Sequence, residues 1–175
     1  MTDPVTRYAE QVAAGDIIAC NYVKQACKRH LDDLEREGFE FRFDPEKAAK
    51  AIKFIQLLPH TKGRWAAKRE LLKLSGWQAF IVGSFFGWID SRGLRRFQEA
   101  YIEVCRKNGK SVLAAAIGLY CLVADGEHGA EVYSGATTER QAWEVFRPAK
   151  LMAKKTPALL EQFGVEVNAS NLLRP

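Results

Sequence analysis

Residues 95–124, RRFQEAYIEVCRKNGKSVLAAAIGLYCLVA, restrict the fold of this chain more than any other run. The first ten alternate, with Phe97, Ala100, Ile102 and Val104 as the apolar positions, and predict a buried strand. The last thirteen, Val112–Ala124, are rich in Ala and Leu and too long for an ordinary strand. They predict a nearly all-buried helix that ends at Asp125-Gly126. The triplet Gly109-Lys110-Ser111 stands between the two.

Strand, glycine loop and helix in that order make an anion site. Backbone N–H groups turn toward a phosphate, and the helix behind them adds the positive end of its dipole. Gly109 allows close backbone approach, Lys110 can reach the β- and γ-phosphates, and the Ser111 hydroxyl can ligate Mg²⁺. The general pattern, G-x-x-x-x-G-K-[ST], also asks for glycine at position 104, where this chain has Val104.

Downstream, AEVYSGAT reads as a second short strand, and Thr138-Glu139-Arg140-Gln141 opens a further helix that Pro148 can kink before it ends near Lys155. Residues 95–155 thus read β-loop-α-β-α, the grammar of a doubly wound parallel sheet. Upstream the pattern is helical. Asp3-Pro4 and Asp44-Pro45 are capping signatures, Gly15-Asp16 separates a first helix from a second ending at Gly38, and a third stops at Pro59. GWQAFIVGSFFGW, from Gly76, predicts a helix with Trp77, Phe80, Ile81, Phe85 and Trp88 on one face. The expected organisation is a helical segment over 1–60, followed over 61–175 by the N-terminal half of a P-loop domain.

Composition sets outer bounds. With 175 residues, 47% hydrophobic and 27% charged, the chain can bury one sizeable core. A net charge of +5 permits polyanion binding without demanding it. Cys20, Cys27, Cys105 and Cys121 show no zinc spacing, and reduced thiols in a cytosol are expected. The start, MTDPVTRYAEQ, lacks a signal-peptide layout, and the longest apolar run is shorter than the roughly 20 residues needed to span a bilayer. His30, His60 and His128 lie far apart and read as surface residues.

AYIEVCRKNGKS, with GWQAF upstream and VYSGATTERQA downstream, resembles the N-terminal ATPase region of the large terminase subunit of tailed phages. The likeness extends from about Tyr8 to Val167. It implies a Walker A loop of Arg106, Lys107, Asn108, Gly109, Lys110 and Ser111 that binds ATP and Mg, with Ser111 as the metal ligand. Members of this family often lack the first glycine and carry an arginine where Arg106 stands. Gln78 is similar to the family's adenine-reading glutamine, whose amide can donate and accept at once. The implied partners are double-stranded DNA, a portal and a small terminase subunit, with homo-oligomers possible and no membrane. The implied setting is the host bacterial cytoplasm, at the procapsid.

Hydrolysis in this class also needs an apolar run ending in Asp or Asp-Glu. Tyr120–Asp125 has that form but lies at the far end of the Ser111 helix, about 20 Å away at 1.5 Å per residue. Between 150 and 175 the only acids are Glu161 and Glu166, and neither reads as such a motif. The chain therefore resembles the first third of a motor, truncated before its acidic motif and unable to hydrolyse ATP alone, and its open sheet predicts marginal stability or self-association. The alternative is a non-catalytic helical partner-binding module, or prophage remnant, with a vestigial loop.

Overall fold

The computed structural model describes residues 3–173. They form two compact units, one from residues up to 53 with 74–102, the other from 54–73 with the described residues from 103 on.

In the first unit, helix α1 (Pro4–Ala14) starts where the Asp3 carboxylate accepts from Val5 and Thr6 N–H. It ends at Gly15, whose φ of 87° is left-handed. Val5, Tyr8, Ala9 and Val12 repeat every three or four residues and are buried. Helix α2 (Asn21–Leu34) packs on α1, as does α5 (Gly76–Gly87). Glycine weakens a helix by about 1 kcal/mol, but α5 requires it. A Cβ at Gly83 would lie 2.2 Å from Val5 Cγ2, and one at Gly87 would lie 2.6 Å from Phe43 Cε2. Helix α3 (Pro45–Gln56) is capped by Asp44, which accepts from Glu46 and Lys47 N–H at 3.0 Å.

Strand β1 (Phe41–Phe43) runs antiparallel to β2 (Trp88–Asp90), pairing Phe41 with Asp90, Arg42 with Ile89 and Phe43 with Trp88. Asp90 then accepts from the Arg92 and Leu94 N–H groups and the Arg92 guanidinium, closing the turn that the sequence predicts at 90–93. Trp88 belongs to this strand and not to the helical face expected for it; α5 instead buries Ala79, Phe80, Val82 and Phe86.

His30 is a core residue, not the surface residue expected. It is 3% exposed, with Nε2 3.1 Å from the Thr6 hydroxyl and Nδ1 3.0 Å from the Trp88 indole nitrogen. An indole N–H can only donate, so Nδ1 accepts and the proton sits on Nε2, donating to Thr6. A second proton on Nδ1 would face another donor, and burial lowers the His30 pKa.

In the second unit, α6 (Lys110–Val123) packs against α7 (Glu139–Lys154). The buried faces are Leu113, Ala116, Leu119 and Val123 on α6, and Ala149, Met152 and Ala153 on α7. Phe54 meets Tyr120 edge-on, with ring centroids 5.4 Å apart. Thr138 caps α7, and Pro148 lies buried within it, at the cost of one helical hydrogen bond. A short helix α4 (Gly63–Ala67), helix α8 (Pro157–Glu161) and the antiparallel pair β3 (Glu166–Val167) and β4 (Leu172–Leu173) complete the unit.

Helices and short strands are both present, but the parallel, doubly wound sheet expected from the sequence is not formed by the described residues, whose sheets are two antiparallel pairs. The run 95–104 contributes only a single bridge, Arg95 to Ile89. Arg96 is drawn away from a strand path by α2 and the aromatic residues. Its Nη1 donates to Asp33 at 2.8 Å, and its guanidinium lies over the Phe39, Trp88 and Phe97 rings. The burial alternation survives at 101–105, where Ile102 and Val104 are half-buried between exposed neighbours. AEVYSGAT is likewise not a strand. A parallel strand needs parallel neighbours to hold its hydrogen bonds, and among the described residues neither run has one. Glu161, the acid after Ala158-Leu159-Leu160, ends the short helix α8 and not a strand.

The His30 tautomer gives a pH dependence. The unfolded chain takes up the proton near the ordinary value of 6.5 while the folded one resists it, so the contribution is complete above that pH and is lost progressively below it. The urea midpoint is expected to fall between about pH 7.5 and about pH 5.5, with a smaller fall in His30→Gln. Identical pH profiles for the two proteins would contradict this role.

Candidate nucleotide site

The loop before α6 is bent by its own backbone. Lys107 has φ 69° and Gly109 has φ 78°, both left-handed. Glycine accepts this geometry freely, whereas at Lys107 it costs roughly 1 kcal/mol. Gly109 is the N-cap of α6, and its carbonyl accepts the first helical bond, from Leu113 N–H at 2.9 Å. No side chain caps this end, so the first-turn N–H groups keep no acceptor within the helix.

Lys110 folds back over the loop. Its Nζ donates to the Val104 carbonyl at 2.7 Å and more weakly to Cys105 at 3.4 Å. Asn108 Nδ2 also donates to the Cys105 carbonyl, at 3.2 Å, and approaches Arg106 O at 3.4 Å. The loop is thus curled around an ammonium held by neutral carbonyls, with no carboxylate on Lys110 among the described residues. A phosphate oxygen is a far stronger acceptor for that ammonium than a carbonyl.

The residues expected to form this site fall in two places. Arg106, Lys107, Asn108, Gly109 and Lys110 are exposed and contiguous, and Ser111 is half-buried in the first turn of α6. Gln78 belongs to the first compact unit. Its Oε1 accepts from Ser75 N–H at 2.9 Å and from the Ser75 hydroxyl at 3.0 Å, the returning arm of a capping box on α5. In the sequence, this second task is signalled by the Ser-x-x-Gln spacing alone. The sequence does not show that Asn108 and Lys110 share the Cys105 carbonyl, although Asn before Gly is a turn signal.

At position 104, where the pattern asks for glycine, the contact to Lys110 is made by the backbone carbonyl of Val104. Asp125 lies beyond the opposite end of α6. Among the described residues no three His, Cys, Asp or Glu converge as a metal-binding group. Mg²⁺ at phosphate loops does not need such a group, since it is held by a hydroxyl, water and the phosphates themselves.

No curated protein and no solved structure matches the chain. Residues 76–168 match the family model described as the terminase large subunit, ATPase domain. The match covers over half of the 175 residues, including α5, the curled loop, α6 and α7, and it agrees with the resemblance carried by GWQAF, CRKNGKS and VYSGATTERQA. The chain belongs to the ATPase-domain family of the terminase large subunit.

Proposed function

We propose that this chain is the ATP-binding portion of a phage DNA-packaging motor, with the triphosphate seated on the loop from Arg106 to Ser111. The observation that carries the reading is the Lys110 ammonium, bent back at 2.7 Å onto the Val104 carbonyl beside an uncapped helix start. On this reading Lys110 exchanges carbonyls for phosphate oxygens, and the first-turn N–H groups of α6 donate to the anion. Arg106 and Lys107 add positive charge, and Asn108 holds the loop in shape. Mg²⁺, when bound, would neutralise phosphate charge and take the Ser111 hydroxyl as one ligand.

We assign residues 1–60 to a helical segment and 61–175 to the N-terminal half of a P-loop ATPase domain. Portal, small subunit and duplex DNA are the partners that family membership supports. We further assign binding without turnover. Asp125 lies past the far end of α6 and Glu161 lies on α8, so neither acid stands at the end of a strand beside the loop. Titration with MgATP is expected to show binding by the wild type and binding weaker by at least about tenfold in Lys110→Ala, with no phosphate release from either. Equal affinities would refute the loop assignment, and release abolished by Lys110→Ala would refute the absence of turnover.

Gln78 reads adenine on this account by giving up the Ser75 contacts, its amide then donating to N7 and accepting from N6. Gln78→Ala and Ser75→Ala should each cost about 1 kcal/mol of stability through the helix cap. Only Gln78→Ala should reduce the preference for ATP over GTP. A preference unchanged in Gln78→Ala would make this residue a cap alone.

A further inference from the structure

The chain's positive charge is not spread evenly. Residues 54–73 hold five Lys or Arg (Lys62, Arg64, Lys68, Arg69 and Lys73) and one acid, Glu70, which is four of the net +5. The structure makes this segment into a closed loop. Pro59 bridges Leu71, His60 N–H donates to Glu70 O at 2.9 Å, and Leu72 N–H donates to Leu58 O at 2.8 Å. Ile55, Leu58 and Leu72 anchor the neck in the core. Within the loop, α4 and the left-handed Arg69, at φ 57°, turn the chain back on itself.

What the loop displays is basic and aromatic. Lys62, Arg64, Lys68 and Arg69 are exposed, and Lys68 N–H bonds to Arg64 O, so these two side chains follow each other on one face. Among the described residues Arg64, Lys68 and Arg69 have no carboxylate partner; only Lys62 has one, Glu144 at 3.8 Å. Trp65 is 47% exposed, stacks on His60 at 5.3 Å, and carries the Arg64 guanidinium 5.2 Å from its ring centre. A half-exposed indole that braces an unpaired arginine has no evident core role. A guanidinium held in this way is ready for two-point contact with a phosphodiester.

We propose that the loop Pro59–Leu71 is a contact for the sugar-phosphate backbone of duplex DNA, made by Arg64, Lys68 and Arg69 with Trp65 as the brace. The choice of DNA rests on the packaging-motor reading above; the choice of phosphate contact rests on the unpaired cations and their rigid mount. Backbone contact of this kind is independent of sequence and weakens with salt, because each neutralised phosphate releases a counterion.

The test uses the full chain, a fluorescent duplex of about 30 base pairs and a NaCl series read by anisotropy. Arg64→Gln/Lys68→Gln/Arg69→Gln is expected to weaken binding by about tenfold or more at low salt and to reduce the slope of log K against log salt by about 2 to 3. Lys24→Gln/Lys50→Gln/Lys53→Gln removes the same charge from exposed sites in the other unit and should leave the slope nearly unchanged. MgATP affinity is measured on the same preparations, so a defective nucleotide loop is seen separately from a defective DNA contact. Equal losses in the two triple variants, or an unaltered slope in the first, would overturn the proposal. So would displacement of the duplex by MgATP that requires Arg64, Lys68 and Arg69, since the loop would then hold nucleotide phosphates.

Discussion

Helix α6 begins with amide donors that nothing caps, and the loop before it must bend sharply to leave them open. Gly109 in the left-handed region makes the bend, and Lys110 and Asn108 lock it by sharing the Cys105 carbonyl. Everything the second unit does for this loop is support. The apolar faces of α6 and α7 hold the helix in place, so its first turn stands as a fixed cluster of positive partial charge.

The first unit solves a different problem: keeping polar groups inside an aromatic interior. His30 spans Thr6 and Trp88 with one proton placed by elimination. Arg96 covers the buried Asp33 and is covered in turn by rings. Removing Arg96 would leave the Asp33 carboxylate, 6% exposed, with only the weaker 3.5 Å contact to Arg36, and would destabilise the unit. These networks tie α1, α2 and β2 together where apolar packing alone would leave donors unpaired.

Helices α1, α3 and α7 were legible because Asp3, Asp44 and Thr138 mark their starts, whereas the short α4 and α8 were not anticipated. Nor was the short pair β1 and β2. Three residues are too few to show alternation, and their pairing is set by Trp88 packing into a distant aromatic cluster. The run 95–104 misled for the opposite reason, since alternation states which faces are apolar but not whether a neighbouring strand is there to pair. Buried His30 was hidden because a histidine that accepts from an indole looks, in sequence, like any other. At the site, CRKNGKS and its flanks carried the family; the double use of Gln78 and the fold-back of Lys110 required coordinates.

The most direct measurement of the central claim is amide hydrogen exchange across Cys105–Leu113 with and without saturating MgATP. The account predicts slowed exchange in the loop and in the first turn of α6, where free N–H groups gain phosphate acceptors. Exchange in that segment unchanged at saturating MgATP would contradict it.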